Sequence, residues 1–323
     1  MATLKEYLVL SQIAYNDFYV GEIDQTIGNL LDNSETEKSS LKLYLNEGEN
    51  GIWKNQLDTI KDWTLINFQP NKKSGFAAAA FQSPEGETVI AFRGTEPTEL
   101  SRLYYDVKAD IKIYTGWDED IIAQFTDAKQ FVCQTLKIDS LDEISKADNL
   151  SFTGHSLGGG LADYLVYLTK GTTSTTFNAV GFAQCLTRKE LKRILNNLDS
   201  YKERIKDYCD AWDMIGNSGI HIGERIYLIN DQTLDAPCFV PTTNNDTNPW
   251  EYLNNYLAIE FKNIWDCAVY ICENNIDKAK DFLKYLWNTY VPITGLISGS
   301  GYSHGLKHFL NDINADESLL KAI

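Results

Sequence analysis

Residues Leu150-Ser151-Phe152-Thr153 read as a short strand that enters Gly154-His155-Ser156-Leu157-Gly158 and continues as Gly159-Gly160-Leu161-Ala162. Few local patterns restrict a fold so strongly. A strand that ends in Gly-x-Ser-x-Gly and restarts at once as a helix predicts the sharp turn that lifts a serine hydroxyl over the edge of a sheet. Glycine serves positions 154 and 158 because side chains there would collide with neighbouring backbone. The small residues that follow let the helix lie close to the sheet. A Gly-x-Ser-x-Gly match arises by chance about 0.1 times in a chain of this length, so the strand and helix around it carry the assignment.

The flanking sequence supplies partners for that strand. Gly75 to Phe81 and Glu87 to Gly94 read as two strands separated by Gln82-Ser83-Pro84-Glu85-Gly86, which predicts a hairpin. Ile121, Ile122, Phe125, Ala128, Phe131, Val132 and Leu136 share one helical face over 119–136. Phe177 to Phe182 reads as a strand, Arg188 to Leu198 as an amphipathic helix, and Arg204–Cys209 and Arg225–Ile229 as two further strands. This alternation predicts an α/β fold with a mainly parallel sheet and helices on both faces. We read a single domain: a cap of short helices and loops over 1–75, the core sheet over 76–240, an aromatic helical segment over 241–297, and a loop with a C-terminal helix over 298–323. Leu4, Leu8, Ile13 and Ala14 predict an amphipathic helix at the start. The aromatic stretch at 250–290 reads as a helical cap on the core or as a lipid-interface element.

Twenty-nine basic against 45 acidic side chains give a net charge of −16. That balance argues against nucleic acid as a partner, because phosphate recognition needs clustered Lys and Arg. The six cysteines are scattered without a CxxC pair, so neither a metal site nor a disulfide framework is expected. The acidic and polar N-terminal residues do not resemble a cleavable secretory signal, and no apolar run is long enough for a transmembrane helix.

Three blocks together resemble the class 3 lipases, a branch of the α/β-hydrolases. They are Gly154-His155-Ser156-Leu157-Gly158-Gly159-Gly160-Leu161-Ala162, the strand Val89-Ile90-Ala91-Phe92-Arg93-Gly94-Thr95, and Phe177-Asn178-Ala179-Val180-Gly181. The likeness spans about 76–310 and is nearest to bacterial extracellular phospholipases A1. It implies a serine-dependent hydrolase of phospholipid or other long-chain acyl esters, requiring no cofactor or metal. It further implies a peripheral lipid interface, export by a specialised apparatus without a cleavable signal peptide, and a co-produced inhibitory accessory protein. A cytoplasmic location, a short-chain esterase or thioesterase, and a catalytically silent binding module are the competing expectations.

The resemblance assigns Ser156 as nucleophile. Chain order in such enzymes, serine then acid then histidine, favours His304 as the base, with His308 and His221 as alternatives. The acid is expected at Asp213, in the segment after the strand at 204–209, with Asp210 in reserve and Asp207 inside the strand. The Leu157 amide and Thr95 would form the oxyanion hole. Residues 96–107 occupy the family's lid position. Tyr114-Thr115-Gly116-Trp117 departs from the family, which has a histidine there.

Overall fold

The sequence Ala78 to Phe92 folds back on itself about the Pro84–Gly86 turn, where Gly86 takes φ 87°, a conformation that favours glycine. This hairpin belongs to a computed structural model that describes residues 1–32, 40–41, 53, 56–70, 73–94, 119–145, 149–183, 186–210, 216 and 219–228. Within these residues the strands are β1 (Thr64–Gln69), β2 (Ala78–Gln82), β3 (Thr88–Phe92), β4 (Leu150–His155), β5 (Thr173–Phe177), β6 (Ile205–Asp210) and β7 (Glu224–Leu228). The helices are α1 (Leu4–Ile13), α2 (Ile27–Asp32), α3 (Glu119–Leu136), α4 (Leu157–Leu168), α5 (Arg188–Leu195) and α6 (Leu198–Arg204).

The seven strands form one sheet in their sequence order. β1–β2 and β2–β3 are antiparallel, and every pairing from β3 to β7 is parallel. The mainly parallel α/β sheet expected from the sequence is therefore present. Helices do lie on both faces, but for a different reason than alternation suggests. Parallel crossovers are right-handed, so an order that always steps the same way puts the crossover helices on one side. Residues of α3, α4, α5 and α6 accordingly share a core with Ile90, Phe92 and Phe152. The opposite face, with Leu65, Phe81, Val89 and Ala91, is covered by α1, α2 and their neighbouring segments. In the first core, Phe92 meets Phe76 at 6.2 Å and Phe152 at 6.1 Å between ring centroids. Each such fully buried ring contributes roughly 1.5–3 kcal/mol through lost water contact.

Three elements differ from the sequence reading. Residues 64–69, read as part of a helix-and-loop cap, form the edge strand β1 beside β2. The parallel strand read at Phe177–Phe182 lies earlier, at Thr173–Phe177. Its Ser174 and Thr176 look like loop residues in sequence. They are buried because their hydroxyls donate to the Asp163 carboxylate on α4. The helix read at 188–198 is in fact two, α5 and α6. Cys133 and Cys209 are free thiols, and Cys209 is buried. Among the described residues no helix is long and apolar enough to cross a membrane. The predicted segments at 96–107 and 241–323 lie outside the described residues.

Candidate active site

β4 delivers Ser156 to the carboxyl edge of the sheet, where ligands bind in open α/β architectures. Its backbone takes φ 59°, ψ −128°, and α4 begins at the next residue. A positive φ is strained for a side chain other than glycine. Hydrogen bonds hold it. The Ser156 amide donates to the Phe177 carbonyl at 3.1 Å, while the amides of Gly160 and Val180 both donate to the Ser156 carbonyl at 3.2 Å. With the Ser156 amide committed to β5, the first amide of the 12-residue α4 is that of Leu157, at the positive end of the helix.

Close backbone approach demands the glycines here. A Cβ on Gly154 would sit 2.5 Å from the Gly158 carbonyl, and one on Gly158 would sit 2.2 Å from the Phe92 oxygen. Gly159 and Gly160 face Ala179 and Val180 in the same way, at 2.7 and 2.6 Å. β3 closes the other side: a Cβ on Gly94 would fall 2.6 Å from the His155 carbonyl and 3.1 Å from the Ser156 Cβ. The three blocks of the sequence resemblance thus meet around one serine.

Beneath the elbow lies a buried charged cluster. Asp207 on β6 is 3.2 Å from the Arg225 Nε and 3.8 Å from His221 Nδ1, and accepts a 3.1 Å hydrogen bond from the Ala179 amide. Arg225 also donates to the Gly216 carbonyl at 2.6 Å. On α4, Asp163 has its carboxyl pushed well above the ordinary range, first by burial and then by the nearby Asp207. Asp207 thus lies inside the strand, as expected, and His221, an alternative base, is 3.8 Å from it.

Ser156 lies at the turn between β4 and α4, and Leu157 is the first residue of that helix. Thr95, Asp213, His304 and His308 lie outside the described residues, as does the side chain of Asp210. The chain leaves Gly94 and Asp210 at the same sheet edge as Ser156, since Phe92 is in register with Gly154, His155 with Phe177, and Phe177 with Tyr208. Tyr15 was missed by the sequence reading; its hydroxyl is 2.9 Å from His155 Nδ1. The signal is a spacing: Tyr7, Ser11 and Tyr15 recur every four residues through α1 and the turn that follows it. Among the described residues no cluster of His, Cys, Asp and Glu could hold a metal ion.

Residues 44–222, more than half of the chain, match the phospholipase-like family described as the Tle-like phospholipase domain. The chain belongs to that family. An extracellular phospholipase A1 of Serratia liquefaciens is 28% identical over 193 residues, which are 57% of this chain and 53% of the relative. This Tle-like chain therefore spans about half the length of that curated relative. Among solved structures, M37 lipase is similar with a TM-score of 0.39 at 15% identity, over 67% of this chain and 69% of the other. The propeptide complex of Rhizomucor miehei lipase gives 0.38 at 14% identity, over 71% and 68%.

Proposed function

We propose that this chain hydrolyses carboxylic esters of lipids through Ser156, with cleavage of phospholipid acyl esters of the A1 type as its reaction. The observation that carries this reading is the backbone of Ser156, strained at φ 59° between two glycines that admit no side chain. Strain of this kind, about 1–3 kcal/mol, persists where the surroundings over-determine it and a reactive group is presented. In this reading Ser156 Oγ attacks the acyl carbonyl and His304 takes the hydroxyl proton. Asp213 orients the imidazole, and Leu157 with Thr95 receive the oxyanion. The alcohol leaves with the proton from His304, and water then releases the acyl group by the same steps in reverse roles. The match to a phospholipase family and the likeness to a phospholipase A1 support lipid as substrate. The latter relative's description as extracellular supports export.

The test is Ser156→Ala assayed on a phospholipid with different acyl chains at its two positions and on a short monomeric ester. Turnover should fall by about 10⁴-fold or more while circular dichroism and melting stay unchanged. In the parent, release of the first-position chain is expected to exceed hydrolysis of the short ester. Full activity in Ser156→Ala would remove the serine mechanism; preference for the short ester would remove the lipid assignment.

A further inference from the structure

The N-terminal helix lies outside the matched family segment, which begins at residue 44, yet it grips the strand that carries the nucleophile. Tyr7 donates to Ser151 Oγ at 2.9 Å. Ser11 and Thr153 share a 2.7 Å hydrogen bond, and Tyr15 and His155 share one at 2.9 Å. These rungs step by four residues along the N-terminal segment and two along the strand. Four helical residues rise about 6 Å and two strand residues about 6.6 Å, so α1 and β4 stay in register for the first two rungs, and the turn that follows α1 carries the third. The ladder runs up to the residue before Ser156.

The last rung also touches the residues that follow β3. The Tyr15 hydroxyl would lie 2.6 Å from a Cβ placed on Gly94, the same glycine that abuts the His155 carbonyl and the Ser156 Cβ. One residue earlier, Arg93 pairs with Asp17 at 3.6 Å. Tyr15 is itself held: its amide donates to the Gln12 carbonyl at 3.2 Å, and the Asn16 side chain caps α1 by donating to the Ile13 carbonyl at 2.8 Å. The turn at 15–17 therefore touches both strand ends that flank the nucleophile.

We infer that Tyr15 is a positioning residue for the reaction at Ser156, its hydroxyl setting the His155 ring and the gap between the ends of β3 and β4. The inference rests on the proposed hydrolase reading. Oxyanion donors act only when held at the distance the tetrahedral oxygen will occupy, so a small change in that gap weakens transition-state binding more than substrate binding. Tyr15→Phe removes one oxygen atom and leaves the ring packing in place.

The experiment uses the full chain, a soluble short-chain nitrophenyl ester as substrate, and an alkylboronic acid as a reversible mimic of the tetrahedral adduct. Tyr15→Phe should lower kcat by about tenfold with KM and melting temperature close to the parent, and weaken boronate inhibition by a similar factor. His155→Asn, which keeps a polar atom near the Nδ1 position, should retain more activity than His155→Ala. Parental kcat and boronate affinity in Tyr15→Phe would overturn the inference. So would a loss of activity that merely follows a collapse in melting temperature. Ser156→Ala is run beside them. Parental turnover in that variant sinks the hydrolase reading, whereas its inactivity beside a fully active Tyr15→Phe sinks only the role of Tyr15.

Discussion

At the scale of single residues, the buried ionisable groups divide by whether they have a counter-charge. Asp207 faces Arg225 and accepts the Ala179 amide, so its carboxylate is compensated. Asp163 has two hydroxyl donors, Ser174 and Thr176, but the like-signed Asp207 acts on it more strongly than the compensating Arg225. Its raised pKa follows from burial first and that repulsion second. The folded state thus keeps the Asp163 proton to higher pH than the unfolded chain does. The stabilising contribution of the neutral acid is complete below the ordinary carboxyl range near about 3.9 and is lost as pH rises through the raised folded value. Asp163→Asn keeps the carbonyl oxygen that Ser174 donates to and cannot ionise. The melting temperature of the variant should rise relative to the parent as pH increases from about 4. A difference that stays flat with pH would show that Asp163 is not titrating in this range.

At the scale of elements, the decisive contact is the approach of α4 to β3 and β4. Gly158 brings the helix so near the strand that a Cβ would reach 2.2 Å from the Phe92 oxygen, a backbone atom that cannot swing aside. Gly158→Ala should therefore push the start of α4 outward, at a cost of about 1–3 kcal/mol, and lower ester turnover with it. Thermal melting and turnover checked together test this, and an unshifted melt would mean that the helix start yields. The same scale shows what was legible. The α3 span agrees at both ends because its apolar residues keep one clean helical period. β5 was displaced because Thr173-Ser174-Thr175-Thr176 is polar in sequence, and only a carboxylate from α4 makes two of those hydroxyls buriable. β1 escaped notice because it is an edge strand and mostly half-buried, and its pairing shifts register between Leu65 and Asn67.

For the whole molecule, the sheet order gives each face a separate cover: crossover helices on one, and the N-terminal segment with α1 on the other. The second face is therefore closed by residues most of which lie far in sequence from the strand they protect. The net charge of −16 acts at this scale too. A strongly acidic chain is repelled by an anionic bilayer, so adsorption to lipid has to come from apolar and aromatic surface. Hydrolysis of zwitterionic vesicles should exceed that of vesicles rich in anionic lipid at low salt, and added salt should narrow the gap as it screens the repulsion. Faster turnover on anionic vesicles would mean that a local basic surface outweighs the overall charge.

Sequence alone determined the elbow, its strand and helix, and the place of Ser156 and Leu157 within it, because these depend on short-range sterics: a glycine-flanked turn between a strand and a helix has few other solutions. It also carried the charge balance and the three family blocks. The tertiary structure decided which residues support that turn. Tyr15 and His155 are 140 residues apart in sequence, as the separation of their hydrogen bond records. Thr176, Asp163 and Asp207 meet only because β5, α4 and β6 pack together. Such partnerships arise from the register between elements, which local periodicity does not encode.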